Sequence, residues 1–289
     1  MMQMLDRFIH KTLRRPYQLA VRVDEGKGQP IVLLHGLGRS FHVWQYLIGL
    51  LQGGDYRVVA LDLLGFGDSP KPKWPRYDIE DHTRSIIATL DKCKLGSPAI
   101  IVGHSMGCLI AVHIATVRPD LVKRLVLYEM PLYAGLPDKR HYQMRLNFYF
   151  GLYKRIIAFK PSFDHSKRTR AQRLAEKVLG YRLEPNTWTP FIKSLEHTIM
   201  DQKTHQQIKQ LTVPMDVIYG TKDRVVIRGK TEALFGEDVK NITAHTVKES
   251  HGITLKGSKF LLERIEAATE PAGEIEEAKA AEVTEKGNV

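Results

Sequence analysis

Strand-length apolar runs alternate with helix-patterned segments along most of this 289-residue chain, and that alternation limits what it can fold into. LAVRVDEG (19–26), IVLLH (31–35), YRVVALD (56–62), AIIVGHS (99–105), VKRLVLYEM (122–130), MDVIYG (215–220) and ITAHTVK (242–248) read as strands. IVLLH is a short continuous apolar run, as expected of a strand covered on both faces. HVWQYLIGLL (42–51), residues 78–94 and residues 107–117 carry helical spacing, and further helices are expected near 229–235 and 257–268. The alternation predicts an α/β fold with a doubly wound, mostly parallel sheet. It breaks between residues 131 and 211, where aromatic residues, Lys and Arg dominate and no strand is expected. Residues 1–130 and 211–268 therefore read as one core, and 131–210 as a helical insertion.

Charge separates along the chain. The net charge is +11. Residues 131–210 hold fifteen Lys/Arg against six Asp/Glu, and residues 262–289 hold three against eight Glu. No zinc-finger, RNA-recognition or helix-turn-helix signature accompanies the basic stretch, so nucleic acid is not an expected partner. A solvated helical face is the bland account of it. Peripheral contact with an anionic membrane is the sharper one. Residues 270–289 are rich in Ala and Glu without an aromatic residue, and a disordered acidic tail is expected. The first thirty residues carry charges throughout and lack an apolar stretch before a small-residue cleavage site, so a cytoplasmic protein is expected. Cys93 and Cys108 form no metal or redox spacing and read as free thiols.

The strongest local signal is Gly103-His104-Ser105-Met106-Gly107, which follows the strand AIIV and opens a helix. In that context G-x-S-x-G is a nucleophile elbow. The turn is too sharp for side chains at its flanks, and the serine hydroxyl is pushed clear of the sheet at a helix N-terminus, where negative charge is favoured. A serine needs a base, and the base an orienting acid. His251 follows the last strand in Glu-Ser-His-Gly, and Asp223 follows MDVIYG in Gly-Thr-Lys-Asp. The order Ser105, Asp223, His251 matches that of the elbow-bearing hydrolases. Glu129, ending LVLYE, is the rival acid. His35-Gly36-Leu37-Gly38 lets backbone N–H groups approach an oxyanion, with Leu37 and Met106 as the expected pair. His35 is expected to fix that loop, and His104 to shape the pocket.

HGLG, DLLGFGDS, GHSMG, GTKD and SHG, in this order and spacing, resemble the α/β-hydrolase fold superfamily over about residues 15–130 and 211–268. The resemblance implies an eight-stranded sheet with a helical cap inserted after strand six. It also implies Ser105, Asp223 and His251 as a triad, with Leu37 and Met106 as backbone oxyanion donors. A serine at the elbow argues against haloalkane dehalogenases and epoxide hydrolases, which use an aspartate there.

HExxH, paired CxxC, P-loop and GxGxxG signatures are all missing from the sequence, and no cofactor or metal is expected. The expected activity is serine hydrolysis of a carboxylic ester, on a small-molecule or lipid-like substrate. A C–C bond hydrolase of a ring-cleavage diketone uses the same frame. A non-catalytic binding protein on a hydrolase scaffold is the reading from another class.

Overall fold

The structure, a computed structural model, describes residues 2–13, 15–133, 140–158, 173, 176–177, 182, 185–226 and 241–269. Seven strands form one sheet: β1 (Val21–Gly26), β2 (Gln29–Leu34), β3 (Tyr56–Leu61), β4 (Ala99–His104), β5 (Val122–Tyr128), β6 (Met215–Gly220) and β7 (Ile242–Val247). Their spatial order is β1-β3-β2-β4-β5-β6-β7. β1 runs antiparallel to β3, and every other pair is parallel.

Eight helical segments are used below: α1 (Met2–Arg7), α2 (Gln45–Leu51), α3 (Ile79–Cys93), α4 (Met106–Val117), α5 (Arg140–Ala158), α6 (Trp188–Ser194), α7 (Thr204–Ile208) and α8 (Leu255–Thr269). The central strands β2 and β4 are mostly apolar because both faces are covered. On β2, Val32 and Leu34 join one core with α3 and α4, while Ile31 and Leu33 join a second core with α2 and α8. β4 and β5 split the same way, Ile101, Leu125 and Leu127 to one side and Ile100, Val102 and Val126 to the other. Burying each such side chain contributes about 1.5–3 kcal/mol. α4 is buried almost all round, which is why its sequence, MGCLIAVHIATV, shows no polar stripe. α3 starts where Asp78 caps the Asp81 N–H and ends at Lys94 in the left-handed region.

Two expectations need correction. The sheet has seven strands among the described residues, where eight were expected, and the insertion follows the fifth of them rather than the sixth. Ahead of β1 two backbone N–H groups go to side chains: Leu19 N–H donates to Thr89 Oγ1 and Ala20 N–H to Ser69 Oγ. The expected 270–289 tail and the 229–235 helix lie outside the described residues.

The described part of the insertion is helical and tied to the core. His82 Nε2 lies 3.0 Å from Ser194 Oγ, Thr198 Oγ1 donates to the Tyr77 carbonyl, and Lys193 Nζ donates to the carbonyls of Lys73 and Pro75. Gln202 clamps the chain as it leaves the sheet, accepting from Tyr133 N–H and donating to the Pro131 carbonyl. No helix among the described residues is long and apolar enough to cross a membrane.

Candidate active site

A doubly wound sheet opens a crevice at the carboxyl ends of its strands, where the winding reverses. Here β3 lies on one side of β2 and β4 on the other, so the reversal falls between β2 and β4. β2 delivers His35–Gly36–Leu37 to that edge and β4 delivers Ser105. β5, β6 and β7 bring Glu129, the loop with Asp223, and the loop with His251.

The turn from β4 into α4 is strained. Ser105 sits at φ 52, ψ −119, a region an L-residue rarely adopts. Its N–H donates to the Tyr128 carbonyl, and its own carbonyl accepts from Cys108 N–H. The flanking glycines are there because nothing larger fits. A Cβ on Gly103 would lie 2.7 Å from Cys108 N, and one on Gly107 would lie 2.2 Å from the Leu34 carbonyl oxygen. Met106 opens α4, so its N–H is one of the first-turn donors with no partner inside the helix. Gly36 passes so close that a Cβ there would lie 3.0 Å from Ser105 Cβ, which brings the Leu37 backbone to the serine.

The three side chains named from sequence meet. His251 Nδ1 lies 2.7 Å from Asp223 Oδ2, and His251 Nε2 lies 3.1 Å from Ser105 Oγ. A carboxylate only accepts, so Nδ1 carries the proton and Nε2 presents its lone pair to the serine hydroxyl. Asp223 Oδ1 accepts from the N–H groups of Val225 (2.6 Å) and Val226 (3.2 Å). Burial by itself would raise the Asp223 pKa. Hydrogen bonds from His251, Glu129 and Val225 outweigh it and hold the carboxyl well below its usual range.

Glu129, the rival acid, lies behind this line rather than in it. It is fully buried, in the left-handed region at φ 56, with Oε1 accepting from Gly220 N–H at 2.6 Å. Ligand atoms of Glu129, Asp223 and His251 fall within 4.8 Å of one another. His251 and Asp223 already answer one another with a hydrogen bond.

His35 ties the Gly36–Leu37 loop to the turn after β3. Leu63 N–H donates to its Nε2 at 2.9 Å, which leaves Nδ1–H to donate to the Gly36 carbonyl at 2.8 Å. Burial pushes its pKa down to about 4, so it stays neutral. His104 does more than its sequence position suggested: Nε2–H donates to the backbone carbonyl of His251 at 2.9 Å. Burial, reinforced by His251, lowers its pKa to about 3.

The apolar cavity at Ser105 is roofed by the insertion, with Tyr133, Tyr153, Ile156, Phe191, Leu195 and Ile199 in its wall. Tyr133 O–H donates to the Val225 carbonyl and lies 2.9 Å from the Tyr153 hydroxyl, which joins this roof to the Asp223 loop. The insertion carries no motif, so only its aromatic content hinted at such a wall. Lys139 and Phe159, part of the same aromatic and basic stretch, lie outside the described residues.

The family model for the alpha/beta hydrolase fold matches residues 29–251. The chain is 38% identical over 104 residues to "Probable lysophospholipase BODYGUARD 4" of Arabidopsis thaliana, covering 36% of this chain and 25% of that protein. The chain thus matches about a quarter of that relative's length. It is 28% identical over 215 residues to "Pimeloyl-[acyl-carrier protein] methyl ester esterase" of Vibrio atlanticus (strain LGP32), covering 70% and 79% of the two chains. Among solved structures it is similar to an esterase from Exiguobacterium antarcticum, with TM-score 0.65 at 20% identity over 87% and 96% of the two chains. The match over residues 29–251, carried by this sheet, elbow and strand-end loops, places the chain in the alpha/beta hydrolase fold family.

Proposed function

We propose that this protein hydrolyses carboxylic esters through an acyl-enzyme on Ser105. The observation that carries this reading is the continuous line Ser105 Oγ, His251 Nε2, His251 Nδ1, Asp223 Oδ2, with steps of 3.1 and 2.7 Å. Ser105 Oγ attacks the ester carbonyl carbon, and His251 Nε2 takes the hydroxyl proton. The N–H groups of Leu37 and Met106 receive the carbonyl oxygen as it becomes an oxyanion. The intermediate collapses when His251 returns that proton to the departing alcohol. Water repeats the sequence on the acyl-enzyme and releases the acid. Asp223 keeps Nδ1 protonated and stabilises the imidazolium. The step needs no cofactor.

The insertion acts as a cap in this reading and presents apolar walls to the acyl chain. Free thiols at Cys93 and Cys108 suit a reducing, cytoplasmic setting. Met144 and Phe148, 62% and 67% exposed on the basic helix α5, support peripheral contact with anionic lipid. Anionic vesicles should then raise activity at low salt and less so at 0.5 M salt. No effect of vesicles removes that contact.

A fluorophosphonate label on Ser105, lost in Ser105→Ala, together with turnover of nitrophenyl esters from two to sixteen carbons, tests the ester reading. Labelling with turnover of a ring-cleavage diketone and of no ester would replace it by C–C hydrolysis. Absence of both label and turnover would leave a binding protein.

A further inference from the structure

The N-terminal helix turns its apolar side to solvent. α1 runs on into a wider π turn, Phe8–Thr12, and no residue of that turn is buried. A surface helix normally buries its apolar stripe and exposes its polar one. Here the polar residues face inward. Asp6 Oδ2 accepts from Tyr17 O–H at 2.9 Å and from Trp74 Nε1–H at 3.2 Å. One turn on, the His10 ring stacks on Tyr17 with centroids 3.7 Å apart, and its Nδ1–H donates to the Arg15 carbonyl at 2.6 Å. The apolar residues face outward. Met4, Leu5, Phe8 and Leu13 are 77%, 57%, 52% and 51% exposed, on a stretch of chain that Asp6 and His10 hold in place.

Cations border this face. Arg7, Lys11 and Arg15 are exposed, and Lys73 stands across a cleft of about 580 Å³ between α1 and the segment 70–74. Residues 1–15 hold four Lys/Arg and one acid. That acid is Asp6, whose carboxylate is turned to Tyr17 and Trp74. Asp81, which shares a cleft with Arg15, is taken by Arg84 and by the N–H groups of Arg76 and Tyr77. A helix with an apolar outer side and basic flanks has the chemistry of an interfacial helix. Such a helix sinks its apolar side to the boundary of the acyl chains and leaves its cations among the headgroups. A second copy of the chain is a poor cover for it, because a two-fold contact sets the same cations against one another.

We propose that this N-terminal helix docks on an anionic membrane surface, with Met4, Leu5, Phe8 and Leu13 inserted and Arg7 and Lys11 among the lipid headgroups. The surface is distinct from α5, and the inference does not depend on the ester reading. The segment that receives the helix also carries the cap, since Lys193 Nζ donates to the carbonyls of Lys73 and Pro75. Docking therefore holds the cap over Ser105 close to the lipid.

The test is co-sedimentation of the full chain with vesicles of phosphatidylcholine alone and of equal parts phosphatidylcholine and phosphatidylglycerol. At low salt the protein should partition onto the mixed vesicles at least tenfold more than onto the neutral ones, and less so at 0.5 M salt. Leu5→Ser with Phe8→Ser should lower that partition by roughly tenfold or more, because an apolar side chain is lost from the interface at each position. Arg7→Gln with Lys11→Gln should lower it by about fivefold per charge at low salt and flatten the salt dependence. All four residues are exposed, so melting temperatures should match wild type, and the lipid and salt dependence of wild type needs no variant to fold. Equal partition onto both vesicle types, or onto neither, overturns the proposal. Partition unchanged by Leu5→Ser with Phe8→Ser but lost in Met144→Ser with Phe148→Ser also overturns it, and gives the lipid contact to α5. A wild-type dimer in vesicle-free buffer that becomes monomeric in Leu5→Ser with Phe8→Ser would overturn it in favour of an interface between copies. Ester turnover has no part in these readings, so failure here leaves the ester reading standing.

Discussion

His104 Nε2–H donates to the backbone carbonyl of His251 at 2.9 Å, so the residue beside Ser105 holds the loop that carries the candidate base. Ser105 and His251 are set 3.1 Å apart by this bond as well as by their own. His104 acts as a positioning residue. His104→Phe keeps the ring and removes the donor. It should lower kcat by roughly 10- to 100-fold with little change in KM, because a displacement of about 1 Å can cost that much. His104→Gln, which can present an amide N–H to the same carbonyl, should recover part of the loss. Equal kcat in all three proteins would mean that the loop holds itself.

Ser105→Ala should lower kcat by about 10⁴ to 10⁶ and leave the fold intact, since it removes one oxygen. Ser105→Gly should be equally inactive but more stable than the alanine variant, by roughly 1 kcal/mol, because glycine adopts φ 52, ψ −119 without strain. Urea unfolding of the two variants checks the ranking. Equal midpoints would mean that the elbow stores no strain.

Asp223→Asn should be far more damaging than Glu129→Gln. An amide at 223 can donate to His251 Nδ1 and so favours the tautomer with Nε2 protonated, which cannot accept from Ser105. Glutamine at 129 keeps an acceptor for Gly220 N–H. The ranking of kcat decides between the two acids, and its reversal would assign the orienting role to Glu129.

Acidification should unfold the protein early. His35, His82 and His104 are buried, and that burial lowers their pKa values to about 4, 3 and 3. Unfolded histidines titrate near ~6.5, so between about pH 6.5 and 4 the unfolded chain binds protons that the native chain does not. Stability is therefore highest above that window and falls as pH falls, by about 1 kcal/mol per histidine per pH unit. Asp223 adds to the loss lower down. Its native pKa is depressed, so its contribution holds above ~4 and disappears below. Urea midpoints at pH 7.5, 6 and 5 measure the slope, and His82→Gln should make it shallower. A midpoint flat from pH 7.5 to 5 would contradict the neutral, buried state of these rings.

The strand–helix alternation, the elbow and the chain order Ser105, Asp223, His251 were legible without coordinates because each is a local signal. Period-two burial on both faces shows as unbroken apolar runs, and a turn too tight for a Cβ shows as Gly103 and Gly107. The eighth strand was not decided locally. Whether the residues before β1 pair with a strand depends on Thr89 and Ser69, whose hydroxyls take those N–H groups from distant elements. Chain order favoured Asp223 over Glu129 without deciding the choice, since both follow strands at the same edge. It turns on which carboxyl reaches His251 and which sits behind, and that is set by the order and register of β5, β6 and β7. The elbow pushes the Ser105 hydroxyl clear of the sheet, and the folded protein leaves the residue only 7% exposed beneath the insertion. That cover is a set of contacts between segments far apart in the chain. Local propensity and spacing carry no record of such contacts, because only the packing of cap on sheet brings those side chains within reach of one another.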